Sequence, residues 1–162
     1  MQVVVLIFIF LFLTGCNTEK REDSSLKTKK TNAILIDAKG NPVPLPKDKL
    51  ILVNFMAYSC SACMEEIPTI KKILSLPNYK DKFKVIAFAI DSTENNLKDK
   101  EFPIYGNNKL NQVRFPVPGT PTTYIITPQG KKLVIIVGAV REDRLKNFLN
   151  EALEKYNKLK KP

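Results

Sequence analysis

Apolar residues fall in short blocks along this chain, divided by charged or turn-forming segments. The first block, Val3–Leu13, is 11 residues long, and no charged side chain precedes Cys16. A membrane-crossing helix needs about 20 apolar residues, so this length suits the apolar core of an export signal. From Asn17 to about Asn32 the chain is polar and without hydrophobic period, the pattern of a tether. Ala33–Asp37 is then a short apolar run, closed by the turn signal Lys39-Gly40-Asn41-Pro42. Leu50–Phe55 is continuously apolar but for Asn54, as in a strand covered on both faces. Ser61–Leu76 predicts a helix with Ile67, Ile70 and Leu74 on one stripe and Ile73 beside it, stopped by Pro77-Asn78. Phe83–Ile90 predicts a second buried strand, and Glu94–Phe102 a short charged helix on the surface. Tyr124–Thr127 and Lys132–Val137, joined by Pro128-Gln129-Gly130, predict an antiparallel hairpin. Glu142–Leu159 predicts a closing amphipathic helix whose buried stripe is Leu145, Phe148, Leu149, Ala152, Leu153 and Tyr156.

Strand, helix, strand, hairpin and helix in that order imply an α/β fold, a central mixed β-sheet flanked by helices. The domain plan is therefore a signal over 1–15, a tether over 16–32 and one folded domain over 33–162. A length of 162 residues with 44% hydrophobic content is enough for one domain with a real core.

Charge adds a partner question. Lys and Arg number 26 against 16 Asp and Glu, a net charge of +10. Nucleic-acid binding is one reading of such basicity. The chain has no basic–aromatic repeat, and an exported protein rarely meets nucleic acid, so no nucleic-acid partner is expected. Lys20, Arg21, Lys27, Lys29 and Lys30 follow the apolar segment, and Lys155, Lys158, Lys160 and Lys161 lie in the tail. Near an anionic bilayer each adds on the order of 1 kcal/mol of attraction at most. Elsewhere they form a solvated, lysine-rich surface.

The chemistry is narrowed by what is missing. The chain has no His and 3 Cys. Imidazole acid–base catalysis, Cys-His nucleophiles and His metal ligands are thereby excluded. Three thiols do not make a four-thiolate zinc site, so no metal and no cofactor are expected. Three is odd, so at least one cysteine stays outside any intramolecular pair. Cys60-Ser61-Ala62-Cys63 follows the first buried strand and opens a helix. A thiol at a helix N-terminus is acidified by free N–H groups and the macrodipole. The second thiol, one turn on, can displace a mixed disulfide formed by the first. A static structural disulfide and a pair of buried thiols are the competing readings of this spacing.

Two resemblances extend this reading. Leu13-Thr14-Gly15-Cys16 resembles the bacterial lipobox, which implies cleavage before Cys16 and lipid attachment to it. Val53-Asn54-Phe55-Met56-Ala57-Tyr58-Ser59-Cys60-Ser61-Ala62-Cys63-Met64-Glu65-Glu66-Ile67-Pro68 resembles the active-site stretch of the TlpA/ResA-like thioredoxin family. Val117-Pro118-Gly119-Thr120-Pro121-Thr122-Thr123-Tyr124 resembles the cis-proline segment of the same family, over a total span of about 33–155. That resemblance implies a thioredoxin-like fold, Cys60 as nucleophile and Cys63 as resolving cysteine. It implies a cis bond before Pro121, packed against the cysteines, with Thr120 offering its backbone to a substrate strand. Glu66 matches the family's active-site glutamate, with a solvated surface carboxylate as the alternative and Glu65 as its neighbouring candidate. Asn54 stands where thioredoxins proper carry a buried Asp, and Pro68 matches a helix proline. Met56 and Ser59 stand where the family usually has Trp, which implies a less aromatic rim, with Tyr58 as a substitute surface. Ser61-Ala62 lacks the family's common proline, and Ala57 replaces the Thr that peroxiredoxin-like sites show.

The function these features imply is a lipid-anchored, extracytoplasmic thiol–disulfide oxidoreductase, periplasm-facing if the cell is Gram-negative. It would act as a monomer, reduce disulfides of client proteins, apocytochrome c thiols among them, and be re-reduced by a membrane electron-donor protein. Net oxidation or isomerisation of exported proteins is the second expectation. A non-enzymatic binding module, holding partners at Thr120-Pro121 with a static disulfide, is the third.

Overall fold

The computed structural model describes residues 33–161. The expected signal over 1–15, the lipid-acceptor Cys16 and the tether over 16–32 lie outside the described residues. The elements are β1 (Leu50–Met56), α1 (Ser61–Leu74), β2 (Phe83–Ala89), β3 (Ile104–Gly106), α2 (Lys109–Arg114), β4 (Thr122–Ile126), β5 (Lys132–Val137) and α3 (Glu142–Lys160). They form one five-stranded mixed sheet in the order β3-β2-β1-β4-β5. β1 pairs parallel with β2 and antiparallel with β4, and β4 pairs antiparallel with β5.

All seven residues of β1 are buried, as their unbroken apolar run requires. Leu52 and Met56 face a core closed by Ile70 and Ile73 of α1 and by Leu145, Leu149 and Ala152 of α3. Ile51, Val53 and Phe55 face a second core with Leu35, Phe88, Phe115 and Tyr124. Phe55 is its hub, with ring centroids 5.6 Å from Phe88, 6.3 Å from Phe115 and 6.3 Å, edge-on, from Tyr124. The hairpin and the closing helix form as their patterns predict, and Gly130 takes φ +85° in the turn between β4 and β5.

Glu94–Phe102 is not helical. Asn96 and Ile104 exchange backbone hydrogen bonds of 2.7 and 2.9 Å, and Phe102 is buried in the core. The Asp99 carboxylate accepts from the N–H groups of Glu101 and Phe102, a local turn that competes with helix. The segment has no apolar stripe to reward helix formation against this alternative. β3 and α2 were beyond the pattern because three and six residues are too few to show a period. β4 begins at Thr122, earlier than its apolar residues suggest, because Thr122 and Thr123 pair with Phe55 and Asn54. α1 stops at Leu74, two residues short of the predicted end.

The apolar run at Ala33–Asp37 is held by polar groups. Asn111 of α2, buried, accepts from Ile36 N–H at 3.1 Å and donates to Ile36 C=O at 2.7 Å. Phe55→Ala should lower unfolding free energy by about 3–5 kcal/mol, since three aromatic neighbours lose their packing partner. Urea unfolding followed by circular dichroism measures it; a loss below about 1 kcal/mol would contradict the hub assignment.

Candidate active site

The site grows from the C-terminal end of β1. After Met56 the chain turns through Ala57–Ser59, and Cys60 becomes the N-cap of α1. Its φ of −96° and ψ of 105° are extended, and its Sγ accepts from Cys63 N–H at 3.2 Å. A side-chain acceptor on a first-turn N–H is what an N-cap provides, and here the acceptor is sulfur. Cys60 and Cys63 are joined as a disulfide. Cys63 is 1% exposed and belongs to the core, whereas Cys60 is half-buried and reaches the surface. Of the two sulfurs, only that of Cys60 can meet a macromolecular disulfide. When reduced, its thiolate would sit at the positive end of α1 with an N–H already aimed at it.

The structure brings Thr120 and Pro121 to this pair. The Thr120–Pro121 bond is cis, Pro121 is buried, and Thr120 C=O lies 3.6 Å from Cys60 Sγ. Thr122 Oγ1 donates to Gly119 C=O at 2.5 Å, and Gly138 N–H donates to Pro121 C=O at 2.8 Å, so the loop is anchored from both sides. Tyr58, Met64 and Ile90 are exposed apolar side chains within a few residues of Cys60 or at the adjoining strand end. Met56, expected at the rim, is fully buried in the core, so of the two positions without Trp only Ser59 changes the surface.

Asp91 is a site residue that sequence reading missed. It follows the end of β2 and accepts from Tyr58 N–H at 2.9 Å, Ser59 N–H at 3.0 Å and Ser59 Oγ at 3.1 Å. The Tyr58 N–H, followed by the Ser59 groups, holds its carboxyl below the usual carboxylate range despite some desolvation. Asp91 thus clamps the two residues that precede Cys60. The available signal was a carboxylate directly after a buried strand, at the sheet end where α/β folds place sites.

Glu66 is 5% exposed, so the solvated-carboxylate alternative does not hold; Glu65 is the exposed one. Glu66 Oε1 accepts from Val140 N–H at 3.1 Å, and Oε2 is buried without a hydrogen-bond partner. Burial pushes its carboxyl up to about 7, against the smaller opposing pull of Val140 N–H and the Asn54 amide. Asn54, also buried, donates to Thr123 Oγ1 at 2.8 Å, so the position is neutral and internally satisfied. A shallow cleft of about 360 Å³, lined by Ala62, Glu66, Thr69, Val140 and Arg141, opens beside this carboxyl. Among the described residues no cluster of acidic or thiol groups is arranged to hold a metal.

The Glu66 shift carries a pH signature. Between its ordinary value of 4.5 and about 7 the folded protein holds a proton that the unfolded chain has released. Stability should therefore fall as pH rises through that window, by about 3 kcal/mol in all. Glu66→Gln should remove this fall, matching the parent near pH 4.5 and exceeding it by up to about 3 kcal/mol at pH 8. Parallel pH profiles for the two proteins in urea unfolding would refute the buried, proton-holding carboxyl.

Comparison with known proteins agrees with this geometry. The family described as "Thioredoxin-like domain" matches residues 41–153. The thioredoxin-like protein YneN of Bacillus subtilis is 31% identical over 142 residues, covering 82% of this chain and 78% of that one. The thiol-disulfide oxidoreductase ResA of Oceanobacillus iheyensis is 30% identical over 118 residues, 67% of this chain; the match spans 60% of the ResA length. The solved exposed lipoprotein thioredoxin Etrx1 of Streptococcus pneumoniae superposes with a TM-score of 0.55 at 22% identity, covering 72% of this chain and 96% of that one. StoA of Bacillus subtilis gives 0.53 at 18% identity, over 71% and 93%. At those identities the two structures speak for the fold alone. Because the family match contains both the cysteine pair and the cis-proline loop, this chain belongs to the thioredoxin-like family, with ResA-type proteins among its relatives.

Proposed function

We propose that this chain is a membrane-tethered, extracytoplasmic thiol–disulfide oxidoreductase that reduces disulfides in client proteins. The observation that carries the reading is the unequal placement of the two sulfurs. Cys60 caps α1 at the surface beside the Thr120 carbonyl, and Cys63 is buried one turn behind it. The relatives named thiol-disulfide oxidoreductase ResA support the same chemistry.

In the reducing direction the Cys60 thiolate attacks one sulfur of a client disulfide. A Cys60–client S–S bond forms, and the other client sulfur leaves as a thiolate that takes a proton from water. Cys63, once deprotonated, attacks Cys60 Sγ, forming the intramolecular disulfide and releasing the second client thiolate. Glu66 is the group proposed to take the Cys63 proton. Its carboxyl near 7 is partly ionised at neutral pH, and it sits one turn beyond Cys63 on the same helix. Thr120 is the proposed backbone partner of an extended client segment, and Tyr58 an apolar contact beside it. No cofactor enters these steps. Two electrons pass from the dithiol to the client, and a membrane electron-donor dithiol protein must return them.

Cys16 is proposed as the lipid-bearing residue that holds the domain at a bacterial membrane. Among the described residues no helix is long and apolar enough to cross one. Apocytochrome c, whose thiols must be reduced before haem attachment, is the proposed client class. A static-disulfide binding module is the competing reading; the surface position of Cys60 favours exchange over it.

Cys63→Ser should trap clients as mixed disulfides through Cys60, visible as adducts that dithiothreitol releases, whereas Cys60→Ser should trap none. Glu66→Gln should slow closure of the intramolecular disulfide at neutral pH. An unreactive Cys60 in the reduced protein, together with an empty trap, would favour the binding module.

A further inference from the structure

The sheet directions sort the charges into two poles. β1, β2 and β5 run the same way, and all three end on the side of the cysteines. Their starts, together with the ends of α1 and α3, therefore share the opposite pole; Tyr79, just past α1, donates to Asn150 of α3, and Lys155 Nζ of α3 donates to Leu133 C=O at the start of β5. Lysines collect there. Lys47 and Lys49 precede β1, and Lys80 and Lys82 precede β2. Lys131 precedes and Lys132 opens β5, and Lys155, Lys158 and Lys160 lie at the end of the closing helix, with Lys161 just past it. The carboxylates of the same segments are Asp48, Asp81, Glu151 and Glu154. The approach to β3, which runs parallel to β2 and starts at the same pole, adds Lys98 and Lys100 against Asp99 and Glu101, so lysines outnumber carboxylates twelve to six. Asp81 lies 3.9 Å from Lys49 and Glu151 2.7 Å from Lys155, and Lys82, Lys131, Lys158 and Lys161 stay exposed. Leu159, 47% exposed, stands among the last of these lysines. The cleft beside the cysteines lacks that excess, with Glu65 and Glu142 against Arg141 and with Lys72 paired to Glu142.

The same pole is where the N-terminal segment joins the domain. Arg114 donates to the carbonyls of Ala33 and Ile34, and the Ile34 side chain lies against Gly130 in the turn before β5. The described chain therefore begins, at Ala33 and Ile34, near the lysine-rich end.

We propose that this lysine-rich pole seats on anionic lipid headgroups, so that the cysteine pair faces away from the bilayer. Ammonium groups on flexible stems suit a fluid phosphate surface, and an exposed Leu159 among them suits the boundary between headgroup and acyl chain. The seven residues of β1 separate the two poles by roughly 20 Å, at about 3.3 Å per residue. In that seating clients reach Cys60 from the side of the domain away from the bilayer. The inference rests on the reading of residues 1–16 as a membrane attachment.

The test uses the full chain purified from membranes and returned to vesicles of phosphatidylcholine alone or mixed with phosphatidylglycerol. A membrane-impermeant acylating reagent then labels lysines, read by mass spectrometry. Lys131, Lys132, Lys158 and Lys161 should label about fivefold more slowly on the anionic vesicles, with the difference lost at high salt. Lys109, which follows β3 on the cysteine side, should label equally on both. Equal labelling of all five lysines, or protection of Lys109 instead, would overturn the proposal. The mass of the N-terminal peptide and sedimentation with neutral vesicles report the attachment separately. An attached chain with unprotected lysines defeats the orientation alone, and an unmodified Met1 in the native protein defeats the attachment.

Discussion

Strand β1 is hydrogen-bonded along both edges and covered on both faces, and the rest of the structure is arranged around that burial. A strand without a free edge or face can release the chain only at its ends. At the C-terminal end the backbone leaves the sheet through Ala57–Ser59 and enters α1, which places Cys60 on the first free N–H groups of the helix. The parallel partner β2 ends beside it and delivers Asp91, which accepts the N–H groups of Tyr58 and Ser59. The antiparallel partner β4 begins there and delivers the Thr120–Pro121 loop. Three chain segments far apart in sequence thus meet because each borders one end of the sheet.

The same burial decides the electrostatics. α1 lies on the sheet face that carries Leu52 and Met56, so residues one turn past Cys63 turn inward. Glu66 is drawn under the loop before α3, where Val140 N–H satisfies one oxygen and desolvation disfavours the charge. A buried carboxyl with an unpartnered oxygen destabilises the fold in its ionised form, and carboxyls perturbed in this way cluster at functional sites. The neutral Asn54 next to it adds no second charge to the interior.

Much of this was legible beforehand because local pattern and tertiary demand coincide. A continuous apolar run has no solvent-facing side, so β1 and β2 were recognisable as central strands. The stripe from Leu145 to Tyr156 marked α3, and the Cys60–Cys63 spacing after a buried strand marked the site. Glu94–Phe102 misled because its charges satisfy helix propensity while Asp99 caps a turn and Phe102 is claimed by the core. Asp91 escaped because one carboxylate among many carries no local sign of the N–H groups that it will meet 32 and 33 residues away.

The sequence by itself determined the class of chemistry and the class of fold. Three thiols without imidazole exclude imidazole catalysis and a histidine or four-thiolate metal site and make thiol exchange the expectation, and alternating strand and helix patterns leave a layered sheet. Tertiary structure alone decided which sulfur meets the surface, that Glu66 rather than Glu65 is buried, that Asp91 holds the loop, and that the lysines gather at one pole. The physical reason is that residue type and spacing fix what a group can do, whereas desolvation, hydrogen-bond partners and neighbouring charges come from segments distant in the chain and exist only once the sheet has brought them together.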